Sequence, residues 1–409
     1  MMGRIKKILL FGLLILVLFG LFVGTILVDR QVEFPDANLE LAVRELLNYH
    51  GKPIYRSQLL DIVEIDFSGR DIGQVEGLDK FRNLEILNLR NNVISDVSSL
   101  GSLTNLRILD LGYNPIVDLE AANFKDLSNL NLIELNLDHM VKIDRVEGTS
   151  RLSDLRLLSE LFSLRSLSLE DNHISDVSPL GNLRRLEELN LKENHLGSLD
   201  GLESLSGLKK INLRGNQLLD ISSIRNLDNL RYLNLHSNEN LKELSPLSGL
   251  VNLETLIMRN VPVGDQLGVI GKLTKLQRLN LRNCSVSDFS TIFELMASGA
   301  LQDRPEENIF AYLDILENDI PNDPSHLRGF RSYWENIQVK YPIELNDSIL
   351  PPPIFSVIGG FYDEEILLEL NTNQQNVSIY FTLDGSIPSI NSIRYDQPIR
   401  IKKADIDQD

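Results

Sequence analysis

The sequence is poor in cysteine, in aromatic side chains and in positive charge. Cys284 is the one cysteine among 409 residues, and aromatic residues make up 6% of the chain. A single thiol excludes an internal disulfide, so disulfides do not hold this fold together. The formal net charge of -18 argues against nucleic acid or an anionic lipid surface as the main partner, because both would repel the chain.

Catalytic signatures are also missing from the sequence. It contains no nucleophile elbow, no zinc-binding HExxH motif and no phosphate-binding loop. Carboxylate pairs are common in so acidic a chain that choosing one of them as an acid–base pair would be arbitrary. We therefore predict a protein that is not an enzyme and that carries no cofactor.

A leucine pattern that repeats at a fixed interval fills most of the chain. The pattern LxxLxLxxNxI begins at Leu84 and returns at Leu106, a shift of 22 residues. A period of this length is typical of a solenoid, in which each unit buries its apolar face against its neighbours. We call the middle leucine of the pattern the marker. The series of about eleven markers is Ile65, Leu87, Leu109, Leu135, Leu167, Leu189, Ile211, Leu233, Leu256, Leu279 and Leu313.

The asparagine of the pattern forms a second regular column. We expect its side chain to hydrogen-bond backbone groups in the tight turn that follows each strand. The column contains Asn92, Asn114, Asn172, Asn194, Asn216, Asn238 and Asn318. Met140, Val261 and Cys284 interrupt it, and we expect a structural role for Cys284 because repeats of this kind tolerate cysteine there.

The period, together with turns such as residues 174–180 (ISDVSPL), resembles the leucine-rich repeats of bacterial internalin-like proteins. The resemblance implies an α/β solenoid over residues 63–345, with a parallel strand ladder and a convex side of 3₁₀ or helical turns. Segment 34–62 resembles the helical amino-terminal cap of that class, with Asp36 as N-cap. Four apolar residues can share one face of the cap helix: Leu39, Val43, Leu46 and Leu47. The longest insertion, within 288–308, reads as a helix followed by a polar loop.

The two ends of the chain differ from the repeats. Residues 8–28 carry no charge and follow a basic stub, residues 1–7, so we predict a single transmembrane anchor with a cytoplasmic amino terminus. The alternative is a cleaved secretory signal, which would leave a secreted protein. Either way the bulk of the chain is expected outside the cytoplasm of a bacterium.

The carboxyl end predicts a small β-sandwich. Segment 346–353 contains three consecutive prolines and is predicted to be a stiff linker. In segment 354–409, runs 365–370 and 377–382 read as strands, and Asp384 and Gly385 read as turn formers. The sequences TLDGSIP and YDQPI in this segment resemble the carboxyl-terminal domain of chitobiase and β-hexosaminidase, an accessory module without the active site. The family pattern normally continues through further strands, so we expect an incomplete sandwich and a fragment of a longer polypeptide.

Alternate residues of each strand should point onto the concave face of the solenoid. On this face we expect an acidic first half and a basic second half, with like charges brought close together in each column. Either these charges are scattered on an ordinary solvated face, or they form a dipolar groove that orients a partner. The candidate ligand-binding residues are Asp110, Glu134, Asp138, Glu170, Glu188, Lys192, Lys210, Arg214, Tyr232, His236, Arg259, Arg278 and Arg282.

His173 and His195 occupy equivalent places in successive repeats and should stack at the turn. The equivalent residue in the next repeat is Gln217, so further metal ligands are lacking and we predict a pair of surface histidines without a metal.

The sequence predicts a membrane-anchored recognition protein that binds a protein or cell-envelope ligand through the concave face. The alternative is the non-catalytic front end of a larger envelope enzyme, such as a glycoside hydrolase. A fold shared by many functions does not decide between them.

Overall fold

The computed structural model describes residues 29–51, 53–144, 148–302, 304, 306, 311–318, 338–340, 354–355, 366–372, 378–382 and 392–401. The chain divides into two compact units, Met1–Tyr341 and Pro342–Asp409. Within the described residues no helix has the length and apolarity to cross a membrane. The anchor predicted at 8–28 lies outside the described residues.

The amino-terminal cap contains helix α1 (Ala37–Leu46) beside a short antiparallel pair, β1 (Gln31–Val32) and β2 (Ile54–Tyr55). Asp36 is the N-cap, as predicted: its Oδ1 accepts hydrogen bonds from the backbone N–H groups of Asn38 (2.9 Å) and Leu39 (3.0 Å). Its Oδ2 accepts from the N–H groups of Gly73 (2.8 Å) and Gln74 (3.0 Å) in the first repeat. One carboxylate thus joins the cap to the solenoid.

The apolar face of α1 differs from the predicted one. Leu39 and Val43 are fully buried as expected, but Leu46 is 42% exposed and Leu47 is half-buried. Ala42 is buried in their place. The prediction for Leu46 is wrong: this last residue of α1 is exposed, whereas Val43 in the same turn is buried.

A single parallel ladder of twelve strands forms the solenoid. Its strands lie in chain order, with each strand paired only to the repeats before and after it. They are β3 (Glu64–Asp66), β4 (Ile86–Asn88), β5 (Ile108–Asp110), β6 (Glu134–Asn136), β9 (Ser166–Ser168), β10 (Glu188–Asn190), β11 (Lys210–Asn212), β12 (Tyr232–Asn234), β13 (Thr255–Ile257), β14 (Arg278–Asn280), β15 (Tyr312–Asp314) and β16 (Gln338–Lys340). The expected eleven markers are paired in register, and Val339 of β16 adds a twelfth.

The leucines of the pattern form the core. In the repeat of β4, Leu84, Leu87 and Leu89 are fully buried, and the same three positions are buried in every repeat from β4 to β14. Burying one such side chain contributes about 1.5–3 kcal/mol relative to leaving it exposed. Because each marker lies beside the markers of both neighbouring repeats, the core is one continuous apolar stack.

Short 3₁₀ helices form the opposite side of the repeats, which confirms the predicted convex turns. A turn of this kind uses few residues, so it fits a repeat of about 22 residues. The helices are Leu78–Lys80, Ser98–Ser102, Phe124–Asn129, Arg156–Glu160, Ser178–Asn182, Leu202–Ser204, Ser222–Ile224, Ser245–Gly249 and Gly264–Ile270.

The buried asparagines hydrogen-bond the turns as predicted, and they also join neighbouring repeats. Asn114 Nδ2 donates to the carbonyl of Leu111 in its own repeat (2.8 Å) and of Leu89 in the preceding one (2.9 Å). Its Oδ1 accepts from the N–H of Ile94 (2.9 Å). Where Cys284 replaces asparagine, its Sγ donates to the carbonyl of Met258 (3.0 Å). The burial of Cys284 raises the pKa of its thiol to about 12, which agrees with a structural role.

Two insertions have their own structure. The step to Leu167 contains an antiparallel hairpin, β7 (Val141–Asp144) and β8 (Gly148–Arg151), which the sequence did not predict. The helix predicted within 288–308 is present as α2 (Ser290–Ala297), with Ile292, Leu295 and Met296 buried.

The carboxyl-terminal unit contains antiparallel strands. β17 (Ile354–Phe355) pairs with β19 (Leu370–Asn371), and β18 (Ile366–Leu368) pairs with β22 (Ile399–Ile401). β20 (Tyr380–Phe381) pairs with β21 (Ile393–Arg394). The predicted turn at Asp384 and Gly385 lies outside the described residues.

Candidate ligand-binding face

Three columns of side chains cover the outer face of the ladder, which we call the strand face. The leading column precedes each marker, the middle column follows it, and the trailing column comes two residues later. In the repeat of β4 these positions are Ile86, Asn88 and Arg90. The register of the ladder places equivalent residues side by side, about 4.8 Å apart, so each column is a row of close neighbours.

The middle column has a structural role. Asn88 Oδ1 accepts a hydrogen bond from the N–H of Arg90 (3.0 Å), and Asn234 Oδ1 accepts from the N–H of His236 (3.0 Å). The same contact recurs at Asn136 and Asn280. These side chains satisfy the backbone where each strand ends, so this row is part of the scaffold.

The residue before each buried asparagine adopts a left-handed backbone conformation. This position ends the strand face and starts the turn, and side chains of many types tolerate it here although the conformation favours glycine. The positive φ angles occur at Asn91, Tyr113, His139, Asp171, Glu193, Ser237, Asn260, Asn283 and Glu317, and at Gly69 and Gly215. Because this column borders the trailing column, its side chains can reach the strand face.

The acidic end of the strand face, from β4 to β9, is internally paired. Arg90 Nη1 lies 3.6 Å from Asp110 Oδ2 and 3.7 Å from Asp138 Oδ2. Asp138 Oδ1 also accepts hydrogen bonds from Ser168 Oγ (2.6 Å) and from the N–H of Glu170 (2.8 Å). These contacts hold two carboxylates of the predicted groove against a cation that the prediction did not include.

Burial dominates the protonation of these two carboxylates. Desolvation raises the pKa of both Asp110 and Asp138, although hydrogen bonds and the Arg90 charge oppose it. A carboxylate that is buried and already bonded has little remaining capacity for a ligand. The carboxylates of Asp110 and Asp138 are therefore paired within the chain and offer few free acceptor positions to a ligand.

Aromatic stacking continues that network along the left-handed column. The Arg90 guanidinium lies 4.5 Å from the Tyr113 ring centroid, and the Tyr113 ring stacks on the His139 ring with centroids 4.5 Å apart. His139 Nδ1 contacts the Asp171 carboxylate, and Arg151 of the hairpin donates to Asp171 Oδ1 (2.6 Å). Tyr113 thus contacts both the Arg90 guanidinium and the His139 ring.

Ion pairs between neighbouring repeats also occur in the middle of the ladder. Lys192 pairs with Glu170, and Lys210 Nζ lies 3.4 Å from Glu188 Oε2. Like charges in one column are therefore offset by opposite charges one repeat away. At these positions the chain itself supplies the compensating charges.

The four strands before the α2 insertion differ from the rest of the ladder in the sign of their charges. We call the leading, middle and trailing positions of β11 to β14 the cationic stretch. They hold five cations and no carboxylate: Lys210, Arg214, Arg259, Arg278 and Arg282. Its edge members are paired outward, Arg214 Nε with Glu193 Oε1 (3.7 Å) and Arg282 with Glu317.

The centre of the cationic stretch lacks such partners. Neither Arg259 nor Arg278 forms an ion pair with any of the described residues. The buried Nε atoms of Arg259 and Arg282 have no hydrogen-bond acceptor there either. His236 lies between Arg214 and Arg259 in the trailing column, and burial together with these two charges lowers its pKa to about 4. His236 is therefore neutral at pH 7.

Two tyrosines flank this centre in the leading column. Lys210 Nζ lies 5.8 Å from the Tyr232 ring centroid, and Arg278 Cζ lies 5.3 Å from that of Tyr312. Both contacts are within the range of cation–π attraction. Tyr312 Oη also hydrogen-bonds Asp314 Oδ2 (3.2 Å).

The thirteen predicted site residues all lie on the strand face, and the structure brings them together as two sets. The acidic set is Asp110, Glu134, Asp138, Glu170 and Glu188, and the basic set is Lys192, Lys210, Arg214, Tyr232, His236, Arg259, Arg278 and Arg282. Their role in ligand binding stays a prediction. The prediction missed four residues that supply the counter-charges: Arg90 in the trailing column, Arg151 on the hairpin, and Glu193 and Glu317 in the left-handed column.

The stacked histidines are present as predicted: the ring centroids of His173 and His195 are 4.7 Å apart. Burial and the His195 charge lower the pKa of His173. No group of three or more histidine, cysteine, aspartate or glutamate side chains among the described residues could hold a metal ion.

Comparisons with known proteins agree with this architecture. A family model of two leucine-rich-repeat copies matches residues 82–129 and 163–204. The structure is similar to an internalin, InlF, from Listeria monocytogenes, with 23% identity and a TM-score of 0.54 over 76% of this chain and 96% of that one. The solenoid is an internalin-like leucine-rich-repeat fold. No curated protein sequence gives a significant match.

Two further solved structures are similar to the internalin-like fold. Internalin C2 from Listeria monocytogenes is 27% identical, with a TM-score of 0.48 over 54% of this chain and 92% of that one. A leucine-rich-repeat protein from Leptospira interrogans is 20% identical, with a TM-score of 0.49 over 69% of this chain and 85% of that one.

The carboxyl-terminal unit matches a second family. The model of the chitobiase and β-hexosaminidase C-terminal domain covers residues 357–406. Both resemblances expected from the sequence are thus confirmed. The second match associates the carboxyl end with a module named after chitobiase and β-hexosaminidase.

Proposed function

We propose that this protein is a membrane-anchored, extracytoplasmic recognition protein of a bacterium, which binds a protein or cell-envelope ligand without covalent chemistry. The supporting observation is the strand face: twelve parallel strands present open columns of polar side chains on a capped, continuously packed scaffold. A rigid scaffold of this kind needs little ordering on binding, which favours affinity.

The proposed location rests on residues 8–28. Their uncharged, apolar sequence behind a basic stub is what a single-pass anchor with a cytoplasmic amino terminus requires. We propose that no nucleic acid is bound, because the net charge of -18 opposes it.

Fractionation of bacterial cells that express the full chain tests the location. We expect the protein in the membrane fraction after alkaline washing, and we expect protease added outside the inner membrane to degrade the repeats. Removing residues 1–28 should abolish retention. Recovery of the intact chain in the cytoplasmic fraction would contradict the proposal, and processing near residue 29 would favour secretion.

Capture from envelope extracts tests recognition. A chain that lacks residues 1–30 should retain an envelope component, and the strand-face substitution Arg214→Glu should weaken that capture. The matched control is Arg225→Glu, because Arg225 is exposed just after the 3₁₀ helix Ser222–Ile224 on the opposite side of the repeat. Equal loss in both variants would show that the strand face is not the binding face.

A second candidate function is the non-catalytic region of a larger cell-envelope enzyme, such as a glycoside hydrolase. The match of residues 357–406 to a module of chitobiase and β-hexosaminidase favours it. The reading frame of the source genome beyond codon 409 decides between the two. A continuation that encodes a catalytic domain would support the enzyme, whereas a stop codon would remove this candidate.

A further inference from the structure

The cationic stretch combines a neutralised rim with an open centre. On the β10 side, Glu188 and Glu193 pair with Lys210 and Arg214. On the β15 side, Glu317 pairs with Arg282. Arg259 and Arg278, which lie between these rims, form no ion pair with any described residue, and Arg259 acts on the Glu317 carboxylate only from a distance.

The cluster of cations in the cationic stretch does not by itself stabilise the fold. Arg259 lies one strand from Arg282 in the trailing column and two strands from Arg214, so like charges are held within about 5–10 Å. The Nε of Arg259 is buried without an acceptor among the described residues, which costs the desolvation of a donor. At the acidic end, by contrast, each buried carboxylate has a partner on the molecule.

The protonation of His236 should respond to the charge of a ligand bound beside it. It is half-buried beside Arg214 and Arg259, and the positive field of these neighbours disfavours its protonation. A carboxylate bound at Arg259 would reverse that field. The tyrosines Tyr232 and Tyr312 border the same centre and offer flat apolar surface beside the cations.

We propose that the cationic stretch binds an acidic segment of a partner protein, with carboxylates bound by Arg259 and Arg278. This inference rests on the proposed recognition function and names the chemistry of its partner. Guanidinium groups bind carboxylates through two parallel N–H donors, a geometry that suits planar carboxylates better than a lysine ammonium does. Arginine and tyrosine are also the residues that most often dominate protein interfaces, and here they occur together. The acidic remainder of the chain repels such a segment, so binding is confined to this place.

Binding of a synthetic decapeptide rich in Asp, Glu and Tyr to the full chain tests the proposal. The matched peptide carries Asn and Gln in place of the acids. We expect at least tenfold tighter binding of the acidic peptide, and the preference should shrink as ionic strength rises. Equal affinity for the two peptides would overturn the proposal.

Substitutions then locate the contact. Arg259→Glu and Arg278→Glu should each weaken binding of the acidic peptide at least tenfold, whereas Arg225→Glu should change it less than twofold. Arg259→Gln serves as a second variant should the charge reversal impair folding, because it keeps a polar group of similar reach. If Arg225→Glu weakens binding as much as Arg278→Glu, only the net charge matters and the assigned site is wrong.

Two readouts identify the partner class and the site. Nuclear magnetic resonance should show the pKa of His236 rising by at least one unit when the acidic peptide is bound, with His236→Gln used to assign the signal. Inorganic polyphosphate serves as competitor. If polyphosphate binds the same arginines more tightly than the peptide does, the ligand is a polyanion and not an acidic protein.

Failure of this inference can be distinguished from failure of the proposed function. If envelope capture persists in Arg259→Glu and Arg278→Glu but is lost on Glu134→Lys, the strand face recognises its partner elsewhere and this inference fails alone. If the wild-type chain captures nothing from the envelope but still binds the acidic peptide through Arg259, the site stands and the proposed function fails.

Discussion

The acidic end and the cationic stretch share one backbone and differ in their side-chain pairing. At the acidic end, Arg90 bridges two carboxylates and the stacked rings of Tyr113 and His139 continue the network. In the cationic stretch, Arg259 and Arg278 form no ion pair with any described residue, although the Arg259 charge helps to lower the pKa of Glu317. The same strand ladder can thus carry charges that are paired within the chain in one region and charges without an ion-pair partner in another. We call the first a closed surface and the second an open surface. The open surface is where a partner has most to contribute.

The buried asparagines test the scaffold that both regions share: Asn114 belongs to the acidic end, and Asn216 and Asn238 belong to the repeats of β11 and β12. Asn114→Ala should lower the free energy of unfolding by about 3–5 kcal/mol, the largest effect expected here, because it removes three buried hydrogen bonds to backbone groups. Denaturant unfolding monitored by circular dichroism measures it. A loss below about 1 kcal/mol would mean that water or a backbone shift replaces the amide.

Asp138 tests whether the acidic end is held by its own pairs. Asp138→Ala removes the acceptor for Ser168 Oγ and for the N–H of Glu170, and one partner of Arg90. We expect a loss of about 2–3 kcal/mol in unfolding free energy. Asp138→Asn keeps an acceptor oxygen and should cost less.

Arg259→Met is the counterpart of this change in the cationic stretch. It should alter the unfolding free energy by no more than about 0.5 kcal/mol, because it breaks no ion pair. A loss comparable to that of Asp138→Ala would remove the distinction between a closed and an open surface.

The pH dependence of stability should differ between the two regions. The pKa of His236 falls from 6.5 to about 4 on folding, so the unfolded chain binds the proton more tightly. The stability contributed by neutral His236 is therefore present above pH 6.5 and is lost as the pH falls toward 4, by about 2 kcal/mol after solvent screening. Asp138 has the opposite sign: its raised pKa makes stability fall as the pH rises through the region above 3.8.

Thermal unfolding between pH 4 and pH 7 separates these contributions. His236→Gln should flatten the loss on acidification, and Asp138→Asn should make the remaining loss steeper. If His236→Gln leaves the profile unchanged, His236 is not held in the cationic field that the structure shows.

A small effect is expected at Cys284. Cys284→Ala removes one weak donor to the Met258 carbonyl and a small buried volume, so it should cost about 1 kcal/mol in denaturant unfolding. Cys284→Asn would restore the pattern of the acidic end. Destabilisation by Asn as large as by Ala would show that this turn no longer accommodates the amide.

Much of the fold follows from the leucine period. The markers, the asparagine column and the N-cap at Asp36 depend on local spacing, so the sequence predicts them. The hairpin β7–β8 and strand β16 were missed because neither carries the leucine pattern: Val339 occupies a marker position without the flanking leucines. Leu46 was misplaced because a helical face does not show where the helix ends.

The pairing of the candidate site was harder to predict than its location. Alternation along each strand places the side chains on one face, and register places like charges in rows. The counter-charges Glu193 and Glu317 lie in the left-handed column, which the alternation of a strand does not reach. Arg151 comes from an insertion. Residues in the turns, which strand alternation does not predict, therefore decide which arginines of the strand face have an ion-pair partner.

Site-specific photo-crosslinking in cells that express the full chain tests the central claim most directly. A photoreactive residue is placed at Thr255 in the cationic stretch, at Ser166 in the acidic end, or at Leu219, which is 62% exposed before the 3₁₀ helix Ser222–Ile224. Recognition through the cationic stretch predicts a discrete protein adduct from Thr255 and much weaker adducts from the other two positions. An adduct of equal strength from Leu219, or one from Ser166 without one from Thr255, would contradict it.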